Sequence, residues 1–133
     1  MSRSGYSDDY EYLDLYRASV ERATRGRRGQ SFLRRLRDAL EAMPVKRLIA
    51  DQIVDHGEVC ALGAVDPVAT IDSDDSYALA VHFGIARALA AEIVYQNDEM
   101  PWHEETPEQR WIRMRAWVEE QIAKEPTSAD GSI

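Results

Sequence analysis

Apolar residues recur at three- and four-residue steps along most of this chain, and that period admits few solutions besides helices packed face to face. Tyr12, Leu15, Tyr16, Val20 and Ala23, with Ser19 among them, form one stripe and predict a first helix from about Asp8 to Thr24. Gly26 and Gly29 then bracket a turn, and Ser31 is placed to cap a second helix carrying Phe32, Leu33, Leu36, Ala39, Leu40 and Met43. Pro44 ends that helix and is expected to open a third, since Val45, Leu48, Ile49 and Ile53 keep helical spacing as far as Asp55, with Gly57 as its stop. Residues 58–65 read as a short buried strand or a short buried helix, and the helical neighbourhood favours the helix.

An acidic turn follows from Asp66 to Ser76, in which Ser73 or Asp74 can cap a long apolar helical region reaching Tyr95, with a possible break at Gly84. The last helix has the clearest start in the chain. Thr106 stands at the N-cap, Pro107 at the first helical position and Gln109 at the third, a capping box ahead of Trp111, Met114, Val118 and Ile122 with Trp117 beside them. The reading is an all-α, compact single-domain bundle of about five helices over 8–125, with flexible termini at 1–7 and 126–133.

A chain of 133 residues with one cysteine, Cys60, has no internal disulfide and no cysteine-based zinc site. Met1 to Asp14 lacks the apolar core of a signal peptide. The most apolar stretch, Tyr77 to Tyr95, is interrupted by His82, Gly84, Arg87 and Glu92, too mixed to span a bilayer. These features predict a cytoplasmic protein.

The charge is strongly segregated. Residues 1–14 carry −3, residues 15–50 carry +7 from ten basic and three acidic side chains, and residues 51–133 carry −12 from five basic and seventeen acidic ones; together these make the net −8. Such asymmetry bears on partners rather than on fold. The positive part centres on Arg25, Arg27, Arg28, Arg34, Arg35 and Arg37. It lacks interleaved aromatic residues, so it reads either as a face paired with the acidic remainder of the molecule or as a dock for an acidic partner or RNA. The negative part gathers in two loops, Asp72, Asp74 and Asp75 in one and Asp98, Glu99, Glu104 and Glu105 in the other, the second also holding Trp102. Carboxylates so spaced serve solubility, or they imitate nucleic-acid phosphates before a basic groove.

Chemistry-bearing residues are sparse. Residues 79–93 follow a helix-turn-helix pattern, since Ala80 precedes Gly84 by four residues and Ile93 follows it by nine. The second helix of that unit carries Glu92, Asp98 and Glu99 and would repel a phosphate backbone. A metal site drawn from His103, Asp98, Glu99 and Glu104 lacks the paired histidines of a zinc-binding helix. Cys60 reads as a buried inert thiol, His82 as a core histidine, and Glu92 as a partly buried carboxylate paired with Arg110 or Arg113. Neither a phosphate-binding glycine loop nor a nucleophilic serine elbow is present, and no cofactor or metal is expected.

Three stretches together resemble small proteins of bacteriophages and prophages: Arg28 to Leu33 running on to Met43–Ala50; Gly57 to Val65; and Phe83–Ala86 with Tyr95, Asn97–Glu99 and Glu105–Trp111. The resemblance spans roughly residues 20–120 and brings no catalytic residues. It implies a protein made in a bacterial cell during infection or lysogeny, and, by analogy, a non-enzymatic inhibitor such as an anti-CRISPR or other anti-defence protein that docks on a host protein or protein–nucleic acid complex. The second expectation is a nucleic-acid-binding regulator acting through residues 79–93 or 25–37.

Overall fold

A computed structural model describes residues 10–100 and 104–123. These residues form an all-α domain apart from one hairpin of two-residue strands. The order is α1 (Tyr10–Arg25), α2 (Arg27–Ala42), β1 (Val54–Asp55), β2 (Glu58–Val59), α3 (Ala61–Val65), α4 (Ser76–Phe83), α5 (Arg87–Asp98) and α6 (Pro107–Ala123). Among the described residues no single helix is long and apolar enough to cross a membrane.

The first two helices are nearly continuous. Gly26 interrupts them as a one-residue bend, its N–H donating to Arg22 O at 3.0 Å while its own carbonyl receives Gln30 N–H at 2.9 Å. Ser31 is therefore not a cap: α2 begins four residues earlier, with Gly26 at its N-cap and without a capping side chain. The close turn rests on Gly29, where a Cβ atom would stand 1.9 Å from the Ala23 carbonyl oxygen. Of the α1 stripe, Leu15 faces outward and is 67% exposed.

The helix expected over 44–55 is absent. The segment runs extended, and its backbone is satisfied by distant partners: Leu48 N–H donates to Pro107 O at 3.0 Å and Ile49 N–H to Val59 O at 2.9 Å. Leu48 and Ile53 are buried as expected, but by a route that helical spacing does not distinguish. Asp51, at φ 73°, is incompatible with a continuing helix. His56 and Gly57, at φ 52° and 84°, make the tight turn that pairs Val54 with Val59 and Asp55 with Glu58. Residues 58–65 resolve into both readings, strand β2 and then helix α3.

The long apolar region divides at Gly84, whose left-handed conformation (φ 70°) ends α4, and α5 leaves at 110° to it. Asp75 caps α4, its carboxylate accepting Ala78 N–H at 3.0 Å, while Ser73 instead donates its hydroxyl to Asp51 O. Helix α5 is central, packed against α1, α3, α4 and α6. Leu33, Leu36 and Leu40 of α2, Leu62 of α3, Leu79 of α4, Leu89 and Ile93 of α5, and Met114 and Val118 of α6 are all fully buried.

The capping box of α6 forms as read. Gln109 N–H donates to Thr106 Oγ1 at 3.1 Å and Thr106 N–H to Gln109 Oε1 at 2.9 Å. Thr106→Ala is expected to cost about 1 kcal/mol in chemical denaturation, the ordinary value of an N-cap. A change under a few tenths would mean that the cap is redundant.

Candidate binding surface

The arginine segment faces solvent. Arg25, Arg27, Arg28, Arg34 and Arg35 are exposed and Arg37 is half-buried. Arg25 pairs one turn back with Glu21 at 3.2 Å, and Arg37 pairs with its neighbour Asp38 at 3.2 Å. Among the described residues, Arg27, Arg28 and Arg35 form no ion pair. Arg27 and Arg28 open α2, whose first turn holds no acidic residue. The Arg35 guanidinium lies 6.0 Å over the Phe32 ring, and Phe32 meets Phe83 edge-on at 5.8 Å. These side chains border an open concavity of about 450 Å³ between the start of α2 and the end of α4.

The first acidic loop stays outside, and its carboxylates shape its turns. Asp66 accepts Val68 N–H at 3.3 Å, Asp72 accepts Asp74 N–H at 3.1 Å, and Asp75 caps α4. Asp66 also bonds His82 Nε2 at 2.7 Å, and that bond holds its carboxyl below the usual range. His82 is thus an exposed partner of the loop rather than a core residue. Beside these carboxylates α4 presents an apolar outer face. Tyr77 and Val81, one helical turn apart, are 65% and 67% exposed, and Val68, in the loop that Asp66 ties to α4, is 82% exposed. Sequence reading missed this face. The available signal was that α4 is apolar all round, although only Leu79, Ala80 and Phe83 are buried.

The second acidic cluster divides. Glu104 is exposed, while Asp98 and Glu99 are half-buried, Asp98 accepting Asn97 Nδ2–H at 2.6 Å. Glu105 is internal. Its side chain is 5% exposed and receives Arg113 Nε–H at 2.7 Å and Arg113 Nη2–H at 3.1 Å, with Arg110 Nε at 3.4 Å. The same arginines donate to Leu48 O, Gln96 O and Asn97 O, which fastens α6 to α5 and to the extended segment. Glu105 is a structural clamp, and no partner can reach its carboxylate. Trp102 and His103 lie outside the described residues, among which no cluster of metal-ligating side chains occurs.

That clamp also corrects the expectation for Glu92. Arg110 and Arg113 turn to Glu105, and Glu92, 4% exposed on α5, accepts Gln96 Nε2–H at 2.8 Å. It lines a cleft of about 340 Å³ that Arg17 and Glu21 of α1 and Glu120 of α6 also border. Burial pushes its carboxyl up to about 7 from an ordinary 4.5. The folded state therefore holds a proton that the unfolded chain has released, so the contribution of Glu92 to stability is full below pH 4.5 and is lost as pH rises through 7. The fall is about 3 kcal/mol by linkage. Glu92→Gln removes the titration: equal to the native chain in melting temperature near pH 4.5, it is expected to be clearly more stable at pH 8. A gap that does not widen with pH would contradict this.

Cys60 is buried, and burial pushes its thiol up to about 12, far from a nucleophile. The helix-turn-helix pattern marks a real bend, since Ala80, Ile85 and Ile93 are buried around Gly84. Yet a recognition helix must lay several side chains on base edges. On α5 only Arg87 is exposed, and its Nε–H donates to Ser76 Oγ at 2.8 Å.

Comparison of the chain with protein-family models, curated proteins and solved structures finds no match.

Proposed function

We propose that this is a non-enzymatic docking protein of phage or mobile-element origin, working in the bacterial cytoplasm. It seats the outer face of α4 and the carboxylates beside it on a basic, apolar-centred site of a host protein, as an anti-CRISPR or other anti-defence inhibitor would. One observation carries the reading: Tyr77, Val81 and Val68 are exposed among Asp66, Asp72, Asp74 and Asp75. An apolar centre within a polar rim is the anatomy of a protein interface, and aromatic anchors supply much of the binding energy there. The carboxylates set the sign of the partner's charge and speed its approach.

The experiment is affinity capture from bacterial lysate, with the partner identified and its affinity measured. The native chain is expected to retain one specific protein, Tyr77→Ser/Val81→Ser to lose it at least tenfold, and Arg34→Ala to keep it. Retention that the α4 variant leaves unchanged would end the proposal.

A further inference from the structure

We propose that the concavity between the start of α2 and the end of α4 binds a phosphate monoester of nucleotide size. It is separate from the docking face in charge and in side chains, and it stands whether or not that face has a partner.

Three arginines, Arg27, Arg28 and Arg35, line one concavity together with Ser31. None of the three forms an ion pair among the described residues, in a chain whose net charge is −8. The carboxylate that acts on Arg35, Asp66, is already engaged by His82. Positive charge is thus collected where the molecule does not neutralise it, and the complement is an anion from outside. The guanidinium fork matches phosphate and carboxylate oxygens in pairs. A carboxylate offers two oxygens and one charge. A terminal phosphate offers three oxygens and close to two charges, enough for more than one fork at once.

The volume and floor define the rest of the ligand. About 450 Å³ lies within the range of small-molecule sites and exceeds what a bare phosphate fills. Phe32 and Phe83, in edge-on contact at 5.8 Å, line the same concavity, with the Arg35 guanidinium 6.0 Å over the Phe32 ring. Aromatic edges among cationic side chains suit a planar base joined to a phosphate. A nucleic-acid backbone, with one charge per phosphate, calls for an extended basic track instead. The same monoester chemistry exists on a free mononucleotide and on the phosphorylated end of a strand.

Calorimetry on the full chain at low ionic strength tests this with AMP, adenosine, inorganic phosphate, and a short oligonucleotide carrying either a 5′-phosphate or a 5′-hydroxyl. AMP is expected to bind at least tenfold tighter than adenosine and tighter than phosphate alone. Arg27→Ala/Arg28→Ala is expected to weaken AMP at least tenfold, and Arg35→Gln several-fold. All three side chains are exposed, so unchanged far-UV circular dichroism verifies the fold of each variant. Arg34→Ala removes an equal charge from the same helix outside the concavity and is expected to change AMP affinity less than twofold. Preference for the 5′-phosphorylated oligonucleotide over AMP assigns the site to strand ends, and the reverse assigns it to free nucleotide. No AMP binding at low salt, an equal loss with Arg34→Ala, or tighter binding of both oligonucleotides regardless of the 5′ group would each overturn the proposal.

Discussion

Glu105→Ala is expected to lower the unfolding free energy by about 3–5 kcal/mol, the usual cost of removing one member of a buried ion pair. The side chain is 5% exposed, and those of its partners Arg110 and Arg113 are 12% and 26% exposed. Without the carboxylate two guanidinium charges remain in a poorly hydrated junction, held only by backbone carbonyls. The loss should appear as a lower urea midpoint with an unchanged denaturant slope. Added salt should alter it little, because the pair is shielded from mobile ions. The exposed pair Arg25–Glu21 is the internal comparison, worth about 0.3–0.5 kcal/mol as an i,i+4 surface contact. If Glu105→Ala costs no more than Glu21→Ala, the clamp does not hold α6 in place.

The second large effect reverses a common rule. Replacing glycine with alanine inside an exposed helix ordinarily stabilises by about 1 kcal/mol. Gly29→Ala is expected instead to destabilise by about 3 kcal/mol, at the upper end of overpacking costs. The new methyl would stand 1.9 Å from the Ala23 carbonyl oxygen and 3.3 Å from that of Thr24. Backbone cannot move aside as a side chain does, so α1 must lift from α2 and the bond from Gln30 Nε2 to Thr24 O, 2.7 Å and buried, is disturbed with it. Gly26→Ala supplies the contrast, since its nearest contact is 3.3 Å and φ is −66°. A melting temperature raised by Gly29→Ala would show that the bend does not need that close approach.

The opposed charges count as one feature in sequence and resolve into several in space. The arginines lie outside, bordering a concavity that Phe83 of α4 also lines. The carboxylates of residues 66–75 lie beside the apolar face of the same helix, so α4 stands between two surfaces of opposite sign, and Arg35 acts on Asp66 where they meet. Two arginines and one glutamate, Arg110, Arg113 and Glu105, belong to neither surface, because they satisfy one another inside.

Features written in three or four consecutive residues were legible. The capping box at Thr106, the break at Gly84 and the core stripes of α2 and α6 need only a local pattern, because their hydrogen bonds close within one helical turn. Over 44–55 the same reasoning failed. Val45, Leu48, Ile49 and Ile53 keep helical spacing, but Leu48 bonds Pro107, 59 positions away, and Ile49 bonds Val59, and such pairings outweigh a weak local preference. Glu104 and Glu105 are adjacent and alike in sequence, yet one is exposed and the other sealed by α6.

Periodicity, caps and the split of charge therefore determined the all-α class, the position of its best-marked helices and the existence of opposed surfaces. The packing of distant segments decided which carboxylate is structural, which face of α4 is left to solvent, and that the arginines at the start of α2 go unneutralised within the described chain. The physical reason is range. Backbone hydrogen bonds and helix caps are settled by near neighbours, whereas burial and the pairing of a charge depend on what the rest of the chain brings to it.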